Sequence, residues 1–116
     1  MIDQLLAPLN WISGIVNKLL KEETFNDMQR TFLYNIATEV EALRTLLLTI
    51  PDVTAERAKQ LLSYEGRSHL ASVIGYAEEL VDETEGELTD IQRDLLFDVR
   101  ANSMQLVSAI ETLLEQ

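Results

Sequence analysis

The sequence predicts an all-α protein, an antiparallel four-helix bundle. Apolar residues recur at steps of three and four in four separate stretches. No stretch alternates apolar and polar residues, and no two-residue hairpin turn occurs, so strands are not predicted. Short connections join the stretches, which makes successive helices antiparallel neighbours. At 116 residues and 47% hydrophobic, the chain suits a single domain, 1–116, with one core.

The first two helices follow from an apolar stripe and from signals at their ends. The first is predicted over residues 2–21, where Pro8 lies close enough to the start to cost at most a local kink. The second begins after Asn26, whose side chain can accept a hydrogen bond from the backbone amide of Gln29. It ends before Pro51, because the residue preceding a proline is pushed out of the α region. The first stripe consists of Ile2, Leu5, Leu6, Leu9, Ile12, Val16, Leu19 and Leu20, with Trp11 off its centre and predicted to be partly exposed.

The other two helices are separated by a glycine. The third is predicted from Thr54 to about Glu83, and it is the longest. Gly86 then breaks the periodicity. A capping box from Thr89 to Gln92 begins the fourth helix, because each end of this tetrad can satisfy an unpaired amide at the other. The apolar positions of the second and fourth helices include Met28 and Met104.

Composition excludes several classes of protein. There is no cysteine, so neither a disulfide framework nor a thiolate metal site is predicted. A net charge of −11 repels nucleic-acid phosphates and anionic lipid headgroups, so we expect neither nucleic acid nor membrane as a partner, and basic surfaces are favoured. No segment approaches 18 uncharged apolar residues and the N-terminus lacks a basic start, so a soluble cytoplasmic protein is expected.

Side chains that could bind a metal or cofactor are few. A di-iron bundle needs Glu-x-x-His pairs from two helices, and His69 is the single histidine, so we expect no metal and no cofactor. The end of the predicted third helix and the start of the fourth carry an acidic run without the spacing of a calcium loop. It is either a solvated face or a binding face. Its members are Glu78, Glu79, Asp82, Glu83, Glu85, Glu87, Asp90, Asp94 and Asp98.

The two halves of the chain resemble each other. Residues 8–19 align without a gap on residues 69–80, and residues 26–30 align on residues 89–93. The chain is therefore predicted to consist of two tandem helical hairpins related by pseudo-twofold symmetry. The hairpin repeats are residues 2–50 and 54–115.

The stretch YEGRSHLASVIGYAEEL, residues 64–80, resembles the phosphoacceptor box of the dimerisation and phosphotransfer domain of histidine kinases. The positions in register are Leu70, Val73, Ile74, Gly75, Tyr76, Ala77, Glu78 and Leu80. In this register the acceptor position is Tyr64, its counterpart in the first half is Asp3, and His69 stands where the family has proline. The family normally builds its bundle from two chains, each giving one hairpin. Both hairpins lie in this chain, so a monomer is expected.

The resemblance implies a non-catalytic interaction module of two-component signalling, a pseudokinase-like bundle rather than an enzyme. Nothing resembles the kinase's nucleotide-binding domain. The implied partner is a response-regulator receiver domain or a histidine kinase, which the bundle would bind to modulate signalling. The resemblance and the acidic run together predict the partner-binding residues Ser13, Asn17, Lys18, Met28, Ile74, Glu78, Glu79, Val81, Asp82 and Ile91.

Two alternatives stay open. One is a histidine phosphotransferase of a phosphorelay, acting through His69. This residue is in phase with Leu62 and Val73, so we expect it at the interior or seam of the bundle, bonded to a carbonyl or carboxylate. The degenerate acceptor positions Asp3 and Tyr64 offer a carboxylate and a phenol, which do not replace an imidazole. The other alternative is a structural helical bundle of unrelated function.

Overall fold

Helices account for most of the chain. The structure is a computed structural model that describes residues 2–115, and within that range it contains no strand, so the all-α prediction is confirmed. A 3₁₀ turn and a π-helical turn lie between the longer elements. The elements are α1 (Asp3–Leu20), α2 (Asp27–Thr49), the 3₁₀ turn (Ile50–Asp52), α3 (Ala55–Leu61), the π turn (Leu62–Gly66), α4 (Arg67–Val81) and α5 (Asp90–Leu114).

The main helices pack in a closed ring around one core. Helix α1 contacts α2 and α5, and α4 contacts the same two helices from the other side. The molecule measures 45 × 20 × 20 Å, as expected for helices that run along one long axis. Leu9, Leu33, Leu70 and Leu96, one from each side of the ring, are completely buried. Each such leucine contributes about 1.5–3 kcal/mol of apolar burial, which makes this shared core the main source of stability.

Both predicted N-caps are present. Asn26 Oδ1 accepts a hydrogen bond of 2.8 Å from the backbone amide of Gln29, and Thr89 Oγ1 accepts one of 3.1 Å from that of Gln92. Each glutamine returns a bond, because its Oε1 accepts from the backbone amide of the cap residue at 2.9 Å. These are complete capping boxes, and each satisfies two amides that a helix start otherwise leaves unpaired.

The same glutamines join the two hairpin loops to the opposite hairpin. Gln29 is buried, and its Nε2 donates to the backbone oxygen of Glu87 at 3.2 Å. Gln92, also buried, donates from Nε2 to Thr24 Oγ1 at 2.8 Å and to Glu22 Oε1 at 3.0 Å. A buried amide that is fully hydrogen-bonded fixes the position of its partners. The two loops are therefore held to each other across this end of the bundle.

The third predicted helix differs from the prediction in its middle and at its end. It begins at Thr54 as predicted, and the Thr54 side chain accepts a hydrogen bond from the backbone amide of Arg57. The π turn, however, separates α3 from α4 and inserts a locally wider turn of backbone. Gly66 and Leu62 are both buried there, which keeps the apolar face of α4 on the core. The helix ends at Val81 rather than near Glu83, and Glu83 adopts a left-handed conformation with φ of 60°.

Two methionines predicted on the apolar stripes lie outside the core. Met28 is 54% exposed and Met104 is 46% exposed. The neighbouring polar residues take the core-facing positions instead. Gln29 does so with the bonds described above, and Ser103 is buried with its hydroxyl donating to the backbone oxygen of Val99 at 2.7 Å. Trp11 is 59% exposed, as predicted from its place off the stripe.

We predict that Gly14→Ala and Gly75→Ala each raise the free energy of unfolding by about 0.5–1 kcal/mol, because glycine inside a helix costs that much relative to alanine. A Cβ at either position meets no atom within 4 Å. Gly86→Ala should lower stability instead, since φ is +150° and the added Cβ would lie 2.6 Å from Asn26 Nδ2. Urea unfolding followed by circular dichroism measures all three. A loss of stability in both helical variants would contradict the described packing.

Candidate functional site

The two degenerate acceptor positions lie at the surface. Asp3 is exposed at the first residue of α1. Tyr64 lies in the π turn with 75% of its surface exposed. They present a carboxylate and a phenol to solvent, so neither supplies the nitrogen nucleophile of a phosphohistidine relay.

His69 forms a side-chain pair across the α2–α4 contact. Its Nδ1 lies 2.8 Å from Glu39 Oε2, and the two side chains are 25% and 28% exposed. This confirms the predicted partly buried histidine bonded to a carboxylate. A carboxylate accepts at Nδ1, so this nitrogen carries a proton, and in the neutral ring the lone pair is then on Nε2. The pair ties α4 to α2.

Three of the predicted partner-binding residues come together between α4 and α5. Glu78, Val81 and Asp82 line a pocket of about 250 Å³ with Phe97 and Arg100, which we name the α4–α5 groove. Glu78 Oε1 lies 3.3 Å from Arg100 Nε, and both side chains are partly exposed. The groove therefore has an apolar part from Val81 and Phe97 and charged edges.

The remaining predicted residues of the second hairpin do not join this groove. Ile74 borders a separate hollow with Met104 and Val107. Glu79 lies on another face of α4, beside Gly75 and Tyr76. Ile91, in the first turn of α5, is 70% exposed. The acidic run is thus distributed over two faces.

In the first hairpin, one predicted partner-binding residue is placed incorrectly. Ser13 is only 9% exposed, because it lies on the inner face of α1, so it cannot be part of an exposed docking surface. Asn17 and Met28 are exposed as a docking role requires. Lys18 is exposed too, but it borders a hollow with Trp11 on the α1–α5 side.

The loop between α4 and α5 is held by an ion pair. The guanidinium of Arg93 bonds the carboxylate of Glu83, which also accepts from the backbone amide of Leu88 at 3.2 Å. Arg93 Nη1 lies 3.3 Å from Asp90 Oδ1. The hydrogen bond from Arg93 lowers the pKa of Glu83, and the same contact raises the pKa of Arg93. These bonds compensate for the left-handed backbone of Glu83, a conformation that glycine or asparagine usually occupies at a helix end.

Sequence reasoning missed Phe97 and Arg100. Phe97 is 45% exposed beside Val81, and Arg100 pairs with Glu78 across the groove. Phe97 lies off the apolar stripe of α5. Trp11 was predicted to be exposed because it lies off the stripe of the first helix, and the same argument predicts an exposed Phe97.

Comparison of the chain with protein-family models, curated proteins and solved structures gave no match. In the described part of the chain, residues 2–115, no three histidine or carboxylate side chains are grouped so as to hold a metal ion. Over the same residues, no helix combines the length and apolar character needed to cross a lipid bilayer. The arrangement of the side chains is therefore the basis for a functional proposal.

We predict that Glu83→Gln destabilises the protein near neutral pH and has progressively less effect as the solution becomes acidic. The pKa of Glu83 is below its usual value of 4.5, so its ionised form stabilises the fold above that pH. This contribution is lost as the pH falls through the lowered pKa, because the Glu83 carboxyl of the wild-type protein is then protonated in the folded state as well as in the unfolded state. Urea unfolding over a pH series measures the difference between variant and wild type.

Glu87→Gln is the matched control, since Glu87 is exposed in the same loop. It should change stability little at any pH. An equal effect of the two substitutions near neutral pH, or an effect of Glu83→Gln that stays constant into acid, would contradict the assigned ion pair.

Proposed function

We propose that the chain is a non-catalytic interaction module of two-component signalling. It is a monomeric, cytoplasmic bundle similar to the dimerisation and phosphotransfer domain of histidine kinases, with both hairpins in one chain. Its partner is a receiver domain or a histidine kinase, which it engages without transferring a phosphoryl group. The observation that carries the proposal is the agreement between the two hairpins in their capping and in most of their buried core positions.

Most core positions that the sequence repeat aligns are buried in both hairpins; Ser13 and Ile15 differ, since they are buried and their counterparts Ile74 and Tyr76 are only partly buried. The agreement extends from the first helix of each hairpin through the loop to the second helix, and it includes the two buried glutamines. These matches support a pseudo-twofold relation between the hairpins. The matched buried pairs are Leu9 and Leu70, Ile12 and Val73, Val16 and Ala77, Leu19 and Leu80, Phe25 and Leu88, Gln29 and Gln92, Leu33 and Leu96, Ile36 and Val99, Val40 and Ser103, Leu43 and Leu106, and Leu47 and Ile110.

The contacts between the hairpin loops are reciprocal as well. Gln29 of the first hairpin bonds the second loop at Glu87, and Gln92 of the second hairpin bonds the first loop at Thr24. In a twofold dimer, residue i of one subunit contacts residue j of the other while j contacts i. The exchange of glutamine bonds has this form within a single chain, as expected for a dimeric bundle whose two hairpins have become covalently linked.

The absence of phosphotransfer rests on the acceptor positions. Asp3 and Tyr64 stand where the family has its histidine, and both are exposed without an imidazole. His69 lies five residues beyond Tyr64, a rise of about 7.5 Å along a helix, so it is displaced from the acceptor level by more than a turn. A partner that approaches as in the family would therefore meet Tyr64 rather than a nitrogen nucleophile.

The α4–α5 groove is the proposed docking face. It lies between the two helices of one hairpin, near the loop, where receiver domains contact the kinase family. Val81 and Phe97 offer an apolar centre, and the surrounding acidic residues favour a partner with a basic face. Electrostatic complementarity of this kind raises the association rate and selects partners more than it raises affinity. Arg93 and Arg100, the basic residues of this region, are already paired with Glu83 and Glu78.

One observation favours a second candidate, a histidine phosphotransferase. His69 Nδ1 is bonded to Glu39, and the side chain is one quarter exposed. In the neutral imidazole, Nε2 is then the nitrogen that holds the lone pair. Carboxylates hold catalytic imidazoles in the required tautomer in this way. The candidate differs from the first in predicting a covalent phosphohistidine.

Incubation with acetyl phosphate, and separately with phosphorylated receiver domains, distinguishes the two candidates. We expect no acid-labile phosphate on the chain, because no acceptor position carries an imidazole. Intact-protein mass spectrometry at neutral pH measures the product. An acid-labile phosphate that disappears in His69→Gln, with unchanged circular dichroism, would overturn the non-catalytic proposal in favour of the phosphotransferase.

Charge reversal tests the docking face. Binding of purified receiver and kinase dimerisation domains from the same cell is measured by biolayer interferometry at two salt concentrations. We expect Glu78→Lys with Asp82→Lys to weaken the interaction at least about tenfold, since like charges at an interface cost several kcal/mol. His69→Gln should leave it nearly unchanged.

The matched control is Glu41→Lys with Glu56→Lys, which makes the same charge change at exposed positions outside the groove. Glu39 is unsuitable for this purpose because of its bond to His69. Equal weakening by the two pairs would show that net charge, rather than the α4–α5 groove, governs binding.

A further inference from the structure

A second concave surface lies on the opposite side of α5, facing α1. It is a hollow of about 280 Å³, which we name the Trp11 hollow. Its floor is apolar, formed by Gly14, Ile15 and Leu95, and Trp11 stands at its edge with 59% of its surface exposed. Asn10 and Lys18 complete the lining. None of these residues except Lys18 belongs to the predicted docking surface.

The aligned positions on the α2–α4 side are filled. Tyr76 stands in place of Ile15 and Phe32 in place of Leu95, and their ring centroids lie 5.3 Å apart. The remaining depression there is smaller, about 190 Å³, and is bordered by Ser72 and Glu79 where the first side has Trp11 and Lys18. The Trp11 hollow is therefore the larger of the two depressions, and two aliphatic side chains lie there in place of the aromatic pair.

The floor of the hollow can receive a flat group. A Cβ placed on Gly14 meets no atom within 4 Å, so the backbone of α1 is open to direct contact. Trp11 lies one turn earlier on the same face of the helix, at the i, i+3 spacing that makes neighbours. Aromatic rings pack favourably against an indole in stacked or edge-on geometry. An aromatic ring thus finds an apolar floor and an aromatic wall.

The positive charge of Lys18 at the hollow favours a negatively charged ligand. Lys18 is the charged residue of the lining, it is exposed, and within residues 2–115 its ammonium has no hydrogen bond or ion pair. Trp11 and Asn10, which also border the hollow, each carry an N–H donor as well. The ammonium of Lys18 beside an apolar floor complements a carboxylate attached to a hydrocarbon.

We propose that the Trp11 hollow is a binding site for a small aromatic carboxylate. The ring lies on Gly14, Ile15 and Leu95, and the carboxylate is bound by Lys18. The volume of about 280 Å³ is just below the usual range for ligand pockets, about 300–1,000 Å³, so the ligand must be small. This site is separate from the α4–α5 groove. It does not depend on the proposed signalling function; only the choice of Gly75 as a control position uses the repeat alignment.

The experiment uses the full chain and phenylacetate as the probe. Trp11 is the single tryptophan, so its fluorescence reports on this site alone. We expect a saturable change in emission with phenylacetate, about three- to fivefold weaker binding of uncharged 2-phenylethanol, and still weaker binding of phenethylammonium. Acetate at equal ionic strength should change nothing. No saturable change with phenylacetate, or a preference for the ammonium, would overturn the proposal.

Substitutions locate the site. Gly14→Leu should abolish the fluorescence change by filling the floor, while Gly75→Leu, at the aligned position on the other side, should leave it intact. Lys18→Gln should reduce phenylacetate binding to that of 2-phenylethanol, and Lys21→Gln should not. Binding that survives Gly14→Leu in a folded variant would overturn the proposal.

Circular dichroism checks folding, which leucine should not harm because it is a better helix former than glycine. If Gly14→Leu does not fold, the comparison of phenylacetate binding by Lys18→Gln and by Lys21→Gln tests the proposal instead. Equal binding by these two lysine variants would then reject the assigned carboxylate contact. As a second readout, phenylacetate should shift the amide resonance of Gly14 more than that of Gly75 in a ¹H–¹⁵N spectrum.

Discussion

Each helical hairpin has one long apolar stripe that it cannot bury by itself, and the structure depends on bringing the two stripes together. Completely buried leucines from α1, α2, α4 and α5 form one continuous core. In proteins, most of the stability of a helix comes from packing its apolar face rather than from helix propensity, so burial in this core is what keeps the helices formed. The short connection through the 3₁₀ turn, Ile50–Asp52, links the two hairpins, and helices of both contribute to this core.

Polar contacts then fix how the hairpins meet. Apolar stripes alone allow helices to slide or rotate, whereas a buried amide with specific partners does not. Gln29 and Gln92 cap their own helices and bond the opposite loop, so the same side chains set both helix start and hairpin register. The ion pair of Arg93 with Glu83 holds the loop beside the α4–α5 groove. A partner would therefore meet a groove whose edges are already ordered, which lowers the entropic cost of binding.

The sequence predicted the features that depend on neighbours along the chain. The extents of the first, second and fourth predicted helices, the caps at Asn26 and Thr89 and the exposure of Trp11 follow from local spacing, and the structure agrees. The π turn was not predictable, because its hydrogen bonds differ from those of an α-helix by one residue and the surrounding sequence remains helical. The burial of Ser13 shows the same limit, since the width of a buried face depends on the rotation of the helix against its neighbours.

Contacts between distant residues were the hardest to foresee. The carboxylate that binds His69 is thirty residues away in the chain, and nothing near either residue indicates the other. The separation of Glu78 from Glu79 onto different faces, and the meeting of Glu78 with Arg100, likewise depend on which helix lies beside which. The hollow at Trp11 depends on the volumes of side chains from α1 and α5 together. Apolar periodicity identifies the inner face of a helix, but it does not show which other helix packs against that face.

We propose that one chain completes the core that the kinase family forms from two. Sedimentation equilibrium over a micromolar concentration series tests this most directly, because it gives the mass in solution without a shape assumption. We expect the mass of a single folded chain at every concentration. A mass of two chains that persists on dilution, in protein with full helical circular dichroism, would show that the hairpins pair between molecules and would contradict it.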